Sequence, residues 1–371
     1  MQVAVQVPLL DLRAQYASIR DEVLTAVEEV LDSQVCIGGP KVTELERQVA
    51  ELCGCRFAVG VSSGTDALLN AMMSLGIGSG DEVVTTPFTF FATVGSVLRV
   101  GARPVFVDID PKTYNLDPKR LTFAISSRTK AILPVHLFGQ MCDMDPIMAV
   151  ADQRHLFVIE DAAQAIFATY KGRSAGTIGT VGCLSFFPSK NLGAAGDAGM
   201  IVSNDAALWD RMSIIRVHGA KPKYYHKYVG GNFRLDPIQA AILLVKLRYL
   251  DKWSCARRRN AEYYTERFRG TLVSAPYISA DCVTVVNQYV IRVPRRDALI
   301  AYLRERRIGC EVYYPLSMHL QECLNSLGYR RGDFPESEKA QEEVLSIPVY
   351  PELTDEMKEY VADTILDFYR K

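Results

Sequence analysis

The sequence predicts an α/β chain: a large domain built on a mostly parallel seven-stranded sheet, followed by a smaller α+β domain. Three observations predict it. From Arg56 onward, seven short apolar runs recur at intervals long enough for crossover helices. Most of these runs are continuous rather than alternating, as strands covered on both faces read. After about residue 250 the pattern changes to mixed helices and strands. A length of 371 residues accommodates two such units, and the boundary falls near 250, giving 1–250 and 251–371.

The elements follow in order. Ile19, Val23, Val27 and Val30 recur at helical spacing with Arg20, Asp21, Glu28 and Glu29 between them, so residues 11–32 form an amphipathic helix. Gly38-Gly39-Pro40 interrupts the chain, and a second helix runs from about Lys41 to Cys53. The expected strands are Phe57–Val61, Glu82–Thr86, Pro104–Asp108, Ala131–Val135, Phe157–Glu160, Gly182–Phe187 and Met200–Ser203. Asp236-Pro237 then opens a long helix through about Trp253, with Asp as cap and Pro in the first position. Its apolar content all round predicts cover on both faces. Strand-like Val283–Val293, a helix near Asp297–Arg307, the run Gly309–Tyr314 and a final helix from about Thr354 make up the smaller domain.

Bulk properties narrow the function. A net charge of -1 argues against a surface that coats nucleic acid, while leaving room for a local basic pocket. No apolar run is long enough to span a bilayer. The segment Met1–Leu10 is apolar but lacks a basic leader and meets Asp11 and Arg13 at once, so no signal peptide is expected. The nine cysteines are scattered, and Cys53 and Cys55, the close pair, lack the spacing of a zinc or redox motif. Free thiols in a reducing cytoplasm, and no metal site, are the expectation.

In sheets of this kind ligands sit at the carboxyl ends of the strands. Ser62-Ser63-Gly64-Thr65-Asp66 follows the first run and opens an apolar helix, either as an ordinary cap or as a phosphate site. Phe88, Phe90 and Phe91 follow the second, as core aromatics or as a ring that stacks on a planar ligand. Asp161 ends the fifth, where a buried carboxylate needs a cap role or a cationic partner; Glu160 points the other way. Lys190 follows the sixth, after Phe186-Phe187-Pro188-Ser189. It is either a surface lysine with an apolar stem or an amine held for Schiff-base chemistry with an aldehyde. Each feature has a plain alternative when taken singly. As a set at one edge of one sheet they match what a protein must supply to pyridoxal phosphate: a phosphate cradle, a stacking ring, an acid for the pyridinium nitrogen and a lysine.

The motifs then carry a resemblance. Gly38-Gly39-Pro40 with Glu44-Leu45-Glu46, Ser63–Leu68, Glu160-Asp161-Ala162-Ala163-Gln164, Ser185–Gly193 and Asn232-Phe233-Arg234-Leu235-Asp236 resemble those of the DegT/DnrJ/EryC1/StrS family, from Pro8-Leu9-Leu10-Asp11-Leu12 almost to the end. That family comprises nucleotide-sugar aminotransferases of fold type I, the aspartate aminotransferase fold. The resemblance implies pyridoxal 5'-phosphate held covalently by Lys190, with Asp161 on the ring nitrogen, Gln164 on the ring hydroxyl and Phe90 stacked on the ring. Gly64, Thr65 and Ser185 would bind the phosphate, and Asn232 would reach the cofactor of a neighbouring subunit in a homodimer. Arg234, Tyr314 and His319 would contact substrate. A dehydratase branch carries histidine in place of the lysine, so Lys190 favours amino transfer. The implied reaction moves an amino group from L-glutamate to a nucleotide-linked keto-sugar, at C3 in preference to C4. A dehydratase or deoxygenase on the same scaffold, or a non-catalytic regulator, are the competing readings. The stretch His218–Lys227 offers cations and aromatics for a nucleotide, or a solvated basic loop, while Arg257-Arg258-Arg259 reads as a solvated helix face.

Overall fold

The computed structural model describes residues 6–370; the first five residues of the apolar N-terminal segment lie outside the described residues. Seven strands form one sheet in the order Phe57–Val61, Gly199–Ser203, Val181–Ser185, Phe157–Asp161, Thr129–Ile132, Glu82–Thr85, Arg103–Phe106. Gly199–Ser203 runs antiparallel to both of its neighbours, and the other four pairings are parallel. All seven expected strands are present, with ends displaced by up to three residues. Strand Val181–Ser185 stops before Phe186-Phe187, because the chain there turns outward, leaving Phe186 buried and Phe187 exposed.

The near-continuous apolar runs have the cause inferred for them. Val84, Ile132 and Val158 pack into a core on one face, and Val83, Ala131 and Ile159 into a core on the other. Burying each of the Val and Ile side chains stabilises the fold by about 1.5–3 kcal/mol before entropy is subtracted. Asp11 caps the first helix, Leu12–Ser33, by accepting from the N–H groups of Arg13 and Ala14. Ile19 and Val23 of that helix pack on Ile242 and Val245.

The helix expected from Asp236 to Trp253 is two helices, Pro237–Leu247 and Leu250–Phe268. The break falls at Arg248-Tyr249, whose side chains both reach Glu22 on the first helix. Apolar periodicity reads straight through this turn, so composition alone could not place it. The second helix also corrects the reading of the arginine triplet. Arg259 is exposed and Arg258 half-buried, but Arg257 is buried and donates to the carbonyls of Val286 and Asn287.

Beyond Phe268, strands Tyr289–Arg292 and Val344–Ile347 pair antiparallel. They share a core with Tyr264, Phe268, Leu299 and Ile365. The expected strand Val283–Val293 is interrupted: residues 284–288 form a strap that turns on Val286, at φ 47°. Gly309–Tyr314 makes no strand of its own, but Glu311 bridges Ser346. Helix Asp355–Arg370 closes the described chain. Among the described residues no helix is long and apolar enough to cross a membrane, no group of three His, Cys, Asp or Glu could hold a metal ion, and the nine cysteines are free.

Candidate active site

The chemistry-bearing residues converge where the parallel strands end. Ser63 ends the turn after Phe57–Val61 and caps helix Gly64–Ser74, accepting from the N–H of Asp66. Ala67 N–H bonds the Ser63 carbonyl. The first N–H groups of a helix have no partner inside it, which leaves those of Gly64 and Thr65 for an anion. Gly64 is required by close approach: a Cβ there would lie 2.7 Å from Ser185 Cβ. Gly199 has the same constraint, since its Cβ would meet the Ser63 carbonyl carbon at 2.4 Å. The antiparallel strand Gly199–Ser203 thus presses the helix start against Ser185, which makes the cradle.

Asp161 is 6% exposed. Its Oδ2 accepts from the Thr93 hydroxyl at 2.8 Å and its Oδ1 from the Ala163 N–H at 3.2 Å. Burial holds its pKa above the ordinary carboxylate value, against the opposing pull of those two donors and of Lys190. Lys190 is half-buried, and among the described residues its Nζ has no hydrogen-bond or ion-pair partner. Burial brings its pKa down from 10.5 to about 8, with the Asp161 charge resisting. A lysine in that range is a usable nucleophile near neutral pH.

Glu160, one residue away, has the opposite environment. Its carboxylate accepts from the N–H groups of Gly176 (2.8 Å), Ile178 (2.7 Å) and Gly179 (2.6 Å), and from His136 Nε2 at 2.8 Å. His136 Nδ1 accepts from the Cys142 N–H, so Nε2 carries the proton. Burial alone would raise the Glu160 pKa; these donors more than offset it and hold it below the ordinary value. Strand alternation separates the acids, one saturated behind the sheet and one in the site.

Gln164 completes the near wall. Its Nε2 donates to the Tyr314 hydroxyl at 3.0 Å and its Oε1 accepts from the Phe138 N–H at 2.6 Å. Tyr314 packs at 6.3 Å, centroid to centroid, from Phe90, whose ring is 59% exposed and so free to meet a planar ligand. Phe88, by contrast, is wholly buried. Arg234 bridges Val61 through its backbone, beside the cradle, and among the described residues its buried Nε has no partner. Asn232 is exposed and bridges Val217.

The geometry corrects one expectation. His319 is 1% exposed; its Nε2 bonds Glu338 Oε1 at 2.9 Å and its ring packs on Phe334. That makes it part of a small core around Met318 and Leu324 rather than an open substrate contact. In the basic loop, Lys221 is ion-paired with Asp210 and Lys223 lies over the Tyr224 ring, while Tyr224, Tyr225 and Val229 are exposed. The site also uses residues that sequence reasoning missed. Thr93 orients Asp161, and Ser96, one turn on, donates to the Thr65 carbonyl. Both lie on helix Phe91–Arg99, and the signal for them is two buried hydroxyls three residues apart after Phe90.

The donor set fits a phosphorylated pyridine aldehyde: a glycine-tight cradle at a helix start, a buried acid in want of a cation, an exposed ring face and an unpartnered amine of lowered pKa. A mostly parallel sheet bearing that set at its strand ends defines the class, a fold type I pyridoxal-phosphate enzyme. The chain belongs to the DegT/DnrJ/EryC1/StrS aminotransferase family, whose sequence profile matches residues 17–366. It is therefore an aminotransferase, with pyridoxal 5'-phosphate as its cofactor. It is 50% identical to the pleiotropic regulatory protein of Geobacillus stearothermophilus, over 98% of this chain and 99% of that one. It is 44% identical to UDP-N-acetyl-3-dehydro-alpha-D-glucosamine 3-aminotransferase of Acidithiobacillus ferrooxidans, over 97% of each. The crystal structure of DesV from Streptomyces venezuelae in complex with a ketimine intermediate superposes with a TM-score of 0.97, at 38% identity and 99% of each chain.

Proposed function

We propose that this enzyme moves an amino group from L-glutamate to C3 of a nucleotide-linked 3-keto sugar. The observation that carries the catalytic reading is Lys190, unpartnered and lowered to about 8, facing the acid Asp161. The Acidithiobacillus relative, named as a 3-aminotransferase of a nucleotide sugar, supports the substrate class and the C3 preference over C4.

In this reading Gly64, Thr65 and Ser185 would hold the cofactor phosphate, Asp161 would pair the ring nitrogen, Gln164 would meet the ring hydroxyl and Phe90 would cover the ring face. Pyridoxal phosphate, when bound, supplies an electron sink for the carbon that loses its proton. The protein supplies the rest. Asp161 would be kept ionised by a cationic partner and would stabilise positive charge on the ring. Lys190 Nζ would hold the cofactor and would carry the proton at the substrate carbon, for which its pKa of about 8 suits it. Tyr314, its hydroxyl pKa pushed up by burial, stays protonated and holds Gln164 in one orientation. Arg234 has an unpartnered buried Nε to offer an anionic substrate group, and the loop from His218 to Lys227 adds Lys223 for the diphosphate.

The enzyme works as a homodimer with shared sites. Supporting this, Leu12, Tyr16, Leu24 and Leu31 expose apolar surface along the first helix, and Phe91 and Phe187 do so beside the site. Asn232, exposed here, serves the partner's cofactor phosphate. A regulatory reading is raised by the name of the Geobacillus relative, but a pure binding module has no use for a lysine of lowered pKa set against a ring-nitrogen acid. The test is optical. Purified protein loaded with cofactor is expected to be yellow, with a visible band that L-glutamate removes, and a keto-sugar panel then identifies the product by mass and NMR. A band indifferent to every amino donor refutes amino transfer.

A further inference from the structure

We propose that Asn287, on the strap between the two C-terminal extended segments, is a positioning residue that sets Lys190 against Gln164 through its neighbour Asn191. The inference rests on the reading of Lys190 as the cofactor anchor.

The side chain of Asn191 is 4% exposed and that of Asn287 is 6% exposed. Asn287 Nδ2 donates to Asn191 Oδ1 at 2.7 Å, and Asn191 Nδ2 donates to the Val285 carbonyl at 2.8 Å. The residue after Lys190 is therefore clasped on both amide atoms by one strap. The same strap reaches the other side of the site. The Asn287 N–H donates to the Phe138 carbonyl at 2.9 Å, and the Phe138 N–H donates to Gln164 Oε1 at 2.6 Å. An arc thus runs from Gln164 through the N–H and carbonyl of Phe138, then Asn287 and Asn191, to the backbone of Lys190. Two groups that must meet one flat ring are joined through the strap, with Asn287 hydrogen-bonded to neither of them among the described residues.

Three features fix the arc. Among the described residues Asn287 Oδ1 is buried without a partner, so Nδ2 is the atom through which this side chain bonds its neighbour. Arg257 clamps the strap by donating to the Val286 and Asn287 carbonyls, both at 3.3 Å. Gly139 lets the strap close on Phe138, since a Cβ there would lie 2.9 Å from the Asn287 nitrogen. On the far side of the lysine loop, Lys246 Nζ donates to the Gly193 carbonyl at 2.7 Å, so the loop is held at both ends. Positioning of this kind acts on how well the lysine meets the cofactor, not on the phosphate cradle.

The test is a double-mutant cycle on cofactor affinity. Apoproteins of wild type, Asn287→Ala, Lys190→Ala and the double variant are titrated with pyridoxal 5'-phosphate by equilibrium dialysis. The pH midpoint of the visible band is recorded for the forms that retain Lys190. Asn287→Ala is expected to weaken binding about tenfold in the Lys190 background, as loss of one buried hydrogen bond implies, and less than about twofold in the Lys190→Ala background. The band midpoint is expected to shift with it. Asn287→Asp, which keeps the volume but cannot donate when ionised, is expected to reproduce the loss if Asn287→Ala fails to fold. Equal weakening in both backgrounds, or none in either, overturns the proposal. If Lys190→Ala alone leaves affinity and band intact, the anchor reading fails instead, and the two failures are told apart.

Discussion

Replacing Lys190 by Met should stabilise the cofactor-free protein, and the gain should disappear at high pH. Methionine keeps the length of the stem and removes the ammonium. Burial lowers the lysine from 10.5 to about 8. At ~1.4 kcal/mol per pKa unit that difference amounts to about 3 kcal/mol against the charged form, reduced to about 2–3 kcal/mol because the side chain is only half-buried. The sign follows from proton counts. Between pH 8 and 10.5 the unfolded chain binds more protons at this lysine than the folded one, so wild-type stability rises with pH across that window. Below pH 8 the full cost is present; above 10.5 it is gone. The variant lacks the group and the dependence. Thermal unfolding of both apoproteins by scanning calorimetry at pH 7 and pH 10.5 measures the difference. The variant should melt about 3–5 °C higher at pH 7 and within about 1 °C of wild type at pH 10.5. A gain that is equal at both pH values would come from packing and would refute the charge argument; no gain at pH 7 would refute the lowered pKa itself.

Gly64→Ala, with its Cβ 2.7 Å from Ser185 Cβ, should cost about 1–3 kcal/mol and weaken cofactor binding at least tenfold by dialysis; pairing it with Ser185→Gly should recover part of the loss. Glu160→Gln should destabilise the fold by about 3 kcal/mol in urea, because an amide turns an N–H toward backbone donors that a carboxylate accepted; a loss under ~1 kcal/mol would contradict that geometry. Mixing inactive Lys190→Ala with inactive Asn232→Ala protomers, after subunit exchange, should restore about a quarter of wild-type activity, since half the dimers are hybrids and each holds one intact site. No recovery in exchanged dimers would remove Asn232 from the partner's site.

The sheet was readable because its strands are buried on both faces, so apolar runs such as Val83-Val84 and Ala131-Ile132 mark themselves. Strand ends then pointed to Gly64, Asp161, Gln164 and Lys190. Other features left less trace. The turn at Arg248-Tyr249 contains no Gly or Pro to announce it, and its side chains reach Glu22 on a distant helix. Asn287 sits in a run of apolar residues that reads as one strand, and its partners Asn191 and Phe138 are far away in the chain. Thr93 is an unremarked hydroxyl until the fold sets it under Asp161. His319 went the other way: a histidine after Tyr313-Tyr314-Pro315 suggested ligand contact, and Glu338 claims it instead. Polar residues that serve other protein groups have no periodicity to reveal them, and only packing assigns their partners.

The saturated carboxylate of Glu160 has a consequence for the life cycle of the enzyme. Its four donors come from the loop Gly176–Gly179 and from His136, all of them protein groups that need no ligand. The strand end that bears Asp161 is thereby pinned from behind whether or not the front is filled. Loading can then be a docking event onto a finished frame rather than a folding event. Protein made while the vitamin-derived cofactor is scarce would hold its shape as a reserve, and activity would return at the speed of diffusion and bond formation once supply resumed.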